Sequence, residues 1–136
     1  MNAPINDLLF VYGSLRHNSY HPLARRLREQ AKWLGIAEFC GRLFEVGTYP
    51  GAGPSNEQAH RIFGDIYRLH EPATILPLLD RYAEFCNEFP EPNEFVRELR
   101  QVLMNDHPLF SWIYLYNRST NNLTALGDDY CPPVLD

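Results

Sequence analysis

The chain has 136 residues, of which 45% are hydrophobic and 13% aromatic; this composition predicts one folded domain spanning residues 1–136 and excludes general disorder. The formal net charge is −5, and the 12 basic residues form no run that would neutralise phosphates, so nucleic acid is not expected as a partner. No apolar stretch approaches the roughly 18 residues of a membrane span, so a membrane is not expected either. The three cysteines have no metal-ligand spacing, which predicts free thiols, no bound metal and a cytoplasmic location.

Five elements are predicted in the first half of the chain. A short apolar run that Gly13 ends is typical of a strand buried on both faces, and the helix that follows has Pro22 in its first turn. The elements are a strand at 8–12, a helix at 21–31, a strand at 36–44, a turn-rich segment at 47–54 and a strand at 62–69.

The second half predicts one helix and two strands. Thr74 is placed to cap the helix, and Pro77 then falls in its first turn; its apolar face consists of Ile75, Leu78, Leu79 and Tyr82. Strands are predicted at 95–103 and 110–117, after a loop at 85–93. Together the elements predict an α+β fold, a small mixed β-barrel-like sheet with flanking helices.

The segment Tyr12-Gly13-Ser14-Leu15 connects a buried strand to a helix. Its successive backbone N–H groups would either form an anion-binding nest, with Gly13 permitting close approach of a ligand, or simply close a tight turn. His17 and His21, four residues apart, are better explained as surface or capping residues than as metal ligands, because no third ligand lies nearby in the sequence.

Carboxylates cluster in the second half, and we expect most of them to be solvated. One that packs against an aromatic ring would have a raised pKa and would be suited to proton transfer near neutral pH. The cluster consists of Asp80, Glu84, Glu88, Glu91, Glu94 and Glu98. The aromatic stripe Phe110, Trp112, Tyr114 and Tyr116 is more typical of a core than of a ligand platform.

These stretches, in this order, resemble the γ-glutamylcyclotransferase-like superfamily, which includes γ-glutamylamine cyclotransferases and AIG2-like proteins. The resemblance covers about residues 8–130, and its most specific part is the Tyr12-Gly13-Ser14-Leu15 element. The other matching stretches are Gly41-Arg42-Leu43-Phe44, Tyr49-Pro50-Gly51, Gly64-Asp65-Ile66-Tyr67, Leu79-Asp80-Arg81-Tyr82, Phe95-Val96-Arg97, Trp112 to Tyr116 and Gly127-Asp128.

The resemblance implies a barrel-like sheet with a pocket at one end and an enzyme that releases 5-oxoproline from γ-glutamyl amines, amino acids or peptides. In that family the loop corresponding to Tyr12, Gly13, Ser14 and Leu15 binds the glutamyl end of the substrate. A Glu that follows the Leu-Asp-x-Tyr element is the acid/base, and no cofactor is needed.

The sequence departs from the family pattern at the acid/base, because the position three residues after Asp80 is Ala83. If the helix ends near Tyr82 and the backbone turns, Glu84 is the catalytic residue that we predict from the sequence. If it does not, one helical residue corresponds to about 100° of rotation and Glu84 points elsewhere. The remaining options are a carboxylate of the following loop, such as Glu88, or a pocket that binds without catalysis.

Two function classes therefore stay open at this level. The first is a γ-glutamylcyclotransferase-like enzyme that acts on a small γ-glutamyl compound, and the alternative is a non-catalytic small-molecule binding relative. A protein–protein interaction module has little support from the sequence.

Overall fold

The computed structural model describes residues 6–13, 15–47, 49–57, 59–83 and 92–127. Seven strands and two helices lie within these ranges: β1 (Leu8–Val11), α1 (Pro22–Gln30), β2 (Ala31–Phe39), β3 (Gly41–Val46), β4 (Tyr49–Pro54), β5 (Ile62–Leu69), α2 (Pro72–Tyr82), β6 (Phe95–Met104) and β7 (His107–Tyr116). In the described part of the chain, neither helix has the length and apolar character that crossing a membrane requires.

Five of the strands form a closed barrel in the order β1-β5-β2-β6-β7. Strands β1 and β7 pair in parallel and the other neighbours pair antiparallel, so the sheet is mixed. Strands β3 and β4 form a separate antiparallel pair. This arrangement confirms the predicted α+β fold with a barrel-like sheet and flanking helices.

Strand β1 lies between two hydrophobic clusters of the described residues. Leu9 and Val11 belong to the cluster that includes buried residues of both helices, whereas Phe10 belongs to the cluster inside the barrel. Since alternate side chains of a strand point to opposite faces, both faces of β1 are covered, and this explains its unbroken apolar sequence.

The two helices begin in different ways. His21 is the N-cap of α1, and its Nδ1 accepts a hydrogen bond from the Leu23 N–H at 3.1 Å, which confirms a capping role. Helix α2 begins at Pro72, with Glu71 as its N-cap, so the prediction that Thr74 caps it is wrong. Pro at the first helical position needs no N–H partner, and this favours the earlier start. Pro77 consequently lies inside the helix rather than in its first turn.

Two strand predictions also need correction. The single strand predicted at 36–44 is divided at Cys40 into β2 and β3, and most of the predicted turn segment at 47–54 is strand β4. Among the described strands β4 pairs only with β3, and an edge strand tolerates proline. Gly51 is required here because a Cβ at this position would lie 2.9 Å from Cβ of Tyr116.

The β6–β7 hairpin is longer than predicted, since β7 begins at His107. Asn105 and Asp106 form its two-residue turn with φ angles of 51° and 64°. Positive φ at both central positions is the signature of a type I′ turn, which Asn and Asp tolerate better than most residues.

Candidate active site

A cavity of about 300 Å³ opens where the end of β1, the start of β4, the end of α2 and the start of β6 meet. Most of its lining side chains are apolar or aromatic, which is typical of a small-molecule site. The described lining residues are Phe10, Val11, Tyr12, Gly13, Leu15, Tyr49, Pro50, Leu79, Tyr82, Ala83, Glu94, Phe95 and Tyr114.

The segment predicted to bind the substrate borders this cavity. Tyr12, Gly13 and Leu15 line it, and Ser14 lies outside the described residues. The Arg16 N–H donates to the Gly13 carbonyl at 3.1 Å and closes a turn. A Cβ at Gly13 would lie 3.2 Å from Cγ of Pro50, so glycine lets β1 and β4 approach closely at the cavity wall.

The Tyr12 hydroxyl holds three parts of the wall together. It donates to the backbone carbonyl of Tyr114 and accepts from the Ala52 N–H at 3.1 Å. Burial raises the pKa of Tyr12, so its hydroxyl stays protonated. Both hydrogen-bonding roles of this hydroxyl are thereby used by the protein itself, and Tyr12 serves the site as a rigid wall.

A buried aspartate anchors the chain that follows this segment. Asp65 is 3% exposed and accepts from Arg16 Nε at 3.2 Å, the His17 N–H at 2.8 Å and Trp33 Nε1 at 3.0 Å. The His17 ring stacks on Trp33 with 4.5 Å between ring centroids. His17 and His21 thus have separate structural roles, one in this cluster and one as a helix cap.

A second ion pair supports the opposite wall. Arg97 Nε donates to Asp80 Oδ1 at 2.7 Å, Arg97 Nη2 donates to Asp80 Oδ2 at 3.2 Å, and the guanidinium lies over the Trp112 ring. The Tyr114 hydroxyl donates to Asp80 Oδ1 at 2.7 Å. Burial, together with this hydrogen bond, raises the pKa of Tyr114. With three donors on its carboxylate, Asp80 positions Tyr114 and has little capacity left for proton transfer.

The aromatic stripe of β7 was predicted to be core, and this is only partly correct. Tyr114 is buried but also borders the cavity, whereas Phe110 is 62% exposed. Alternation along β7 gives all four rings the same face, but that face is covered only towards the end of the strand.

The end of α2 presents an alanine where the family pattern has its acid/base. Helix α2 ends at Tyr82 with Ala83 as C-cap, and Leu79, Tyr82 and Ala83 all line the cavity. Positions i, i+3 and i+4 share a helix face, which accounts for this set. Glu84 and Glu88 lie outside the described residues.

Glu94 supplies a carboxylate to the cavity from a different element. It is 8% exposed, lies directly before β6, and accepts a hydrogen bond from the Tyr49 hydroxyl. Its backbone carbonyl accepts from the Asn117 N–H at 2.7 Å, which fixes it at the end of the barrel. Of the described lining residues, Glu94 alone carries a charged side chain.

The sequence places Glu94 in a carboxylate cluster of which most members are expected to be solvated, and Glu94, at 8% exposure, is a buried exception. The available signal was its position directly before the family-like stretch Phe95-Val96-Arg97.

Comparison with known proteins gives a consistent result. The family model described as gamma-glutamyl cyclotransferase, AIG2-like matches residues 9–131. The gamma-glutamylcyclotransferase family protein YtfP of Escherichia coli K12 is 30% identical over 125 residues, which cover 87% of this chain and 89% of that protein.

Solved structures show the same fold. An AIG2-like protein from Mus musculus superimposes with a TM-score of 0.69 at 19% identity, over 92% of this chain and 88% of that one. YkqA from Bacillus subtilis superimposes with a TM-score of 0.67 at 24% identity over 93% of this chain, which spans 40% of YkqA.

Proposed function

Since the chain belongs to the gamma-glutamyl cyclotransferase, AIG2-like family, we propose that it releases 5-oxoproline from a γ-glutamyl amine or peptide. The observation that carries this proposal is the buried carboxylate of Glu94 on a cavity whose other described lining residues are uncharged and include Gly13 and Leu15. One carboxylate and a set of backbone N–H groups are sufficient for this intramolecular acyl transfer.

The reaction requires one nucleophile and one shuttled proton. The α-amine of the glutamyl group gives a proton to the carboxylate and attacks the γ-carbonyl carbon, forming the ring C–N bond. The bond from that carbon to the leaving amine then breaks, and the carboxylic acid returns the proton to the departing nitrogen. A walled cavity that holds the glutamyl chain curled lowers the entropic cost of ring closure.

Glu94 is the carboxylate that the described cavity favours for this role. It is buried at the site, and the Tyr49 hydroxyl orients it while leaving further lone pairs of the carboxylate for substrate. Glu84, the residue predicted from the sequence, is the second proposal, and it is supported by the end of α2 at Tyr82, which is the first of the two requirements of that prediction.

For the glutamyl end of the substrate we propose the Tyr12, Gly13, Ser14 and Leu15 segment, acting through backbone N–H groups. Support comes from the position of Gly13 and Leu15 on the cavity and from the close approach of Pro50 that Gly13 allows at the cavity wall. No cofactor takes part in this scheme, and we propose the cytoplasm as its location, in line with the expected free thiols.

A product assay with matched variants tests the proposal. Purified protein would be incubated with γ-glutamyl amines and dipeptides, and 5-oxoproline measured for the unchanged chain, Glu94→Gln and Glu84→Gln. Glu98→Gln is the control, because Glu98 pairs with Arg100 and is not among the described lining residues. We expect the unchanged chain to form 5-oxoproline, and we expect Glu94→Gln to be the only variant that abolishes this product. Loss with Glu84→Gln alone would transfer the role to Glu84, and absence of product from the folded chain would refute the enzyme.

A second candidate function is a binding relative without catalysis. The specific observation in its favour is that Ala83, and not a glutamate, lines the cavity at the family's acid/base position. In that case γ-glutamyl compounds would bind with measurable heat but without turnover. The Ala83→Glu variant would then gain activity, whereas the unchanged chain would have none.

A further inference from the structure

One edge of strand β6 is left largely without a partner by the other described strands. On its opposite edge β6 pairs with β7 over its whole length. Strand β2, its other neighbour in the barrel, pairs with it only at Leu103, which lies opposite Glu38. Because β2 ends at Phe39 and runs antiparallel to β6, residues 97–101 of β6 continue past the end of β2. We call residues 97–101 the open edge.

The backbone of the open edge presents hydrogen-bonding groups. Met104 and His107 flank the two-residue turn of the β6–β7 hairpin and are therefore a hydrogen-bonded pair. Hydrogen-bonded pairs recur at every second residue of an antiparallel ladder, so the even-numbered residues of β6 bond to β7. The N–H and C=O groups of Arg97, Leu99 and Gln101 consequently point away from β7. Such a row of groups is a template for a further strand.

The side chains of the open edge alternate between an apolar and a charged face. Leu99 is 44% exposed, and Gln101 on the same face is exposed as well. Glu98 and Arg100 lie on the other face, where their side chains are 43% and 41% exposed. An exposed leucine between two opposite charges is a pattern that a second copy of the same strand complements.

Two-fold symmetry restricts how two copies of this edge can pair. Opposite residues must share a face, so the centre of the pairing is one residue opposite the same residue of the second copy. A centre at Arg97, Glu98 or Arg100 places two like charges directly opposite each other, which is destabilising. A centre at Gln101 would extend the pairing to the position that β2 occupies. A centre at Leu99 places Glu98 of each copy opposite Arg100 of the other.

We propose that two copies of the chain form a two-fold dimer in which their open edges pair as antiparallel strands, with Leu99 at the centre. The outward N–H and C=O groups of Arg97, Leu99 and Gln101 then find partners in the second copy. The described lining residues of the cavity all belong to one chain, so this inference is independent of the proposed function.

Sedimentation velocity of the full chain over a range of concentrations measures the association. We expect the mean mass to rise from that of one chain at about 1 µM towards that of two chains at about 1 mM, because pairing along a short edge gives an interface of the small, weak class. A chain that sediments as a monomer at all these concentrations would overturn the proposal.

An exchange of charges tests the register. Glu98→Arg and Arg100→Glu each place like charges opposite each other across the two-fold axis, so each should raise the dissociation constant of the dimer by about tenfold or more. The double variant restores opposite charges with their positions exchanged, and it should recover the dissociation constant of the unchanged chain. Glu29→Arg and Arg25→Glu are the matched controls, because they change the net charge equally in an exposed ion pair of α1.

Circular dichroism of each variant verifies that it is folded before its association is measured. Single variants that dimerise as their controls do would overturn the proposal. A folded double variant that does not recover the dimer would also overturn it, because the charges of Glu98 and Arg100 would then not face each other.

Amide hydrogen exchange locates the contact. The Leu99 N–H should become more protected as the protein concentration rises, whereas the Asn105 N–H in the hairpin turn should exchange at a constant rate. A dimer in which exchange along the open edge does not depend on concentration would associate through another surface, and this result would overturn the proposal.

Discussion

Two buried carboxylates, Asp65 and Glu94, differ in how completely the protein surrounds them. Asp65 is 3% exposed and receives donors from Arg16, His17 and Trp33. Glu94 is 8% exposed, receives the Tyr49 hydroxyl, and borders a cavity. A carboxylate with its partners supplied by the fold acts as an anchor, whereas one that faces a cavity has acceptor capacity left for a ligand.

The two sites are connected through a short piece of chain. Asp65 binds Arg16 and the His17 backbone, directly after the turn that Gly13 and Leu15 present to the cavity. Asp65 therefore fixes the position of the turn that Gly13 and Leu15 present to the cavity, whereas Glu94 is the proposed acid/base of the cavity. Substitutions should separate these roles, with stability lost at one site and turnover lost at the other.

The largest effect is expected from Glu94→Gln. The amide retains the size of the side chain but cannot shuttle a proton, so kcat should fall by about 10²–10⁴-fold. The free energy of unfolding should change by less than about 1 kcal/mol, because the described side-chain partner of Glu94 is the neutral Tyr49 hydroxyl and not a cation. Steady-state kinetics and urea denaturation of the same preparation measure both quantities. Undiminished turnover would remove Glu94 from the reaction.

Asp65→Ala is the converse substitution. It leaves the buried Arg16 guanidinium without this carboxylate and removes the acceptor of two N–H groups, so the free energy of unfolding should fall by about 3–5 kcal/mol. Asp65→Asn keeps an acceptor oxygen, so its free energy of unfolding should fall by less than that of Asp65→Ala. Urea denaturation gives the comparison. A drop no larger than that of an exposed control, Glu29→Ala on α1, whose side chain is 60% exposed, would show that this cluster is not an anchor.

Much of the fold was predictable from local pattern. The strand at 62–69 has the observed bounds because apolar residues bounded by turn signals report directly on burial. Strand β4 was missed because its prolines and glycines signal turns locally, whereas an edge position and the close approach of Tyr116 make them compatible with a strand. Such tertiary reasons are not visible in a window of neighbouring residues.

The candidate site could be predicted from the sequence only where a single segment of the chain supplies its residues. Tyr12, Gly13 and Leu15 follow a recognisable strand, and the structure places them on the cavity. Glu94 looked like any other member of an acidic cluster, since its hydrogen-bond partner Tyr49 lies in β4, 45 residues away in the sequence. The pairing of Asp80 with Arg97 likewise joins α2 to β6, and spacing alone does not reveal it.

Gly13→Ala tests how closely the turn must approach β4. The added Cβ would lie 3.2 Å from Cγ of Pro50, so the wall must shift by a few tenths of an ångström. We expect KM to rise by about tenfold, equivalent to 1.4 kcal/mol, with little change in kcat. Gly47→Ala would be an unsuitable control because its φ is 65°, whereas Gly127→Ala meets no atom within 4 Å and should leave KM unchanged.

The smallest effect concerns the pH dependence of stability through His21. Burial lowers the pKa of His21 in the folded protein, and its neutral Nδ1 caps α1 by accepting the Leu23 N–H. As pH falls, His21 therefore binds its proton in the unfolded chain before it does so in the folded protein. Its contribution to the free energy of unfolding is complete above its ordinary pKa of about 6.5 and is lost as pH falls below that value. An imidazolium at a helix N-terminus also opposes the helix dipole by about 0.5 kcal/mol.

His21→Asn retains a capping acceptor without a titrating group, so the loss of unfolding free energy between about pH 7.5 and 5.5 should be smaller in this variant. His107→Asn is the control substitution, because the exposed His107 begins strand β7 and caps neither of the described helices. Chemical denaturation at a series of pH values measures the difference. Equal slopes for His21→Asn and His107→Asn would mean that the cap does not titrate in this range.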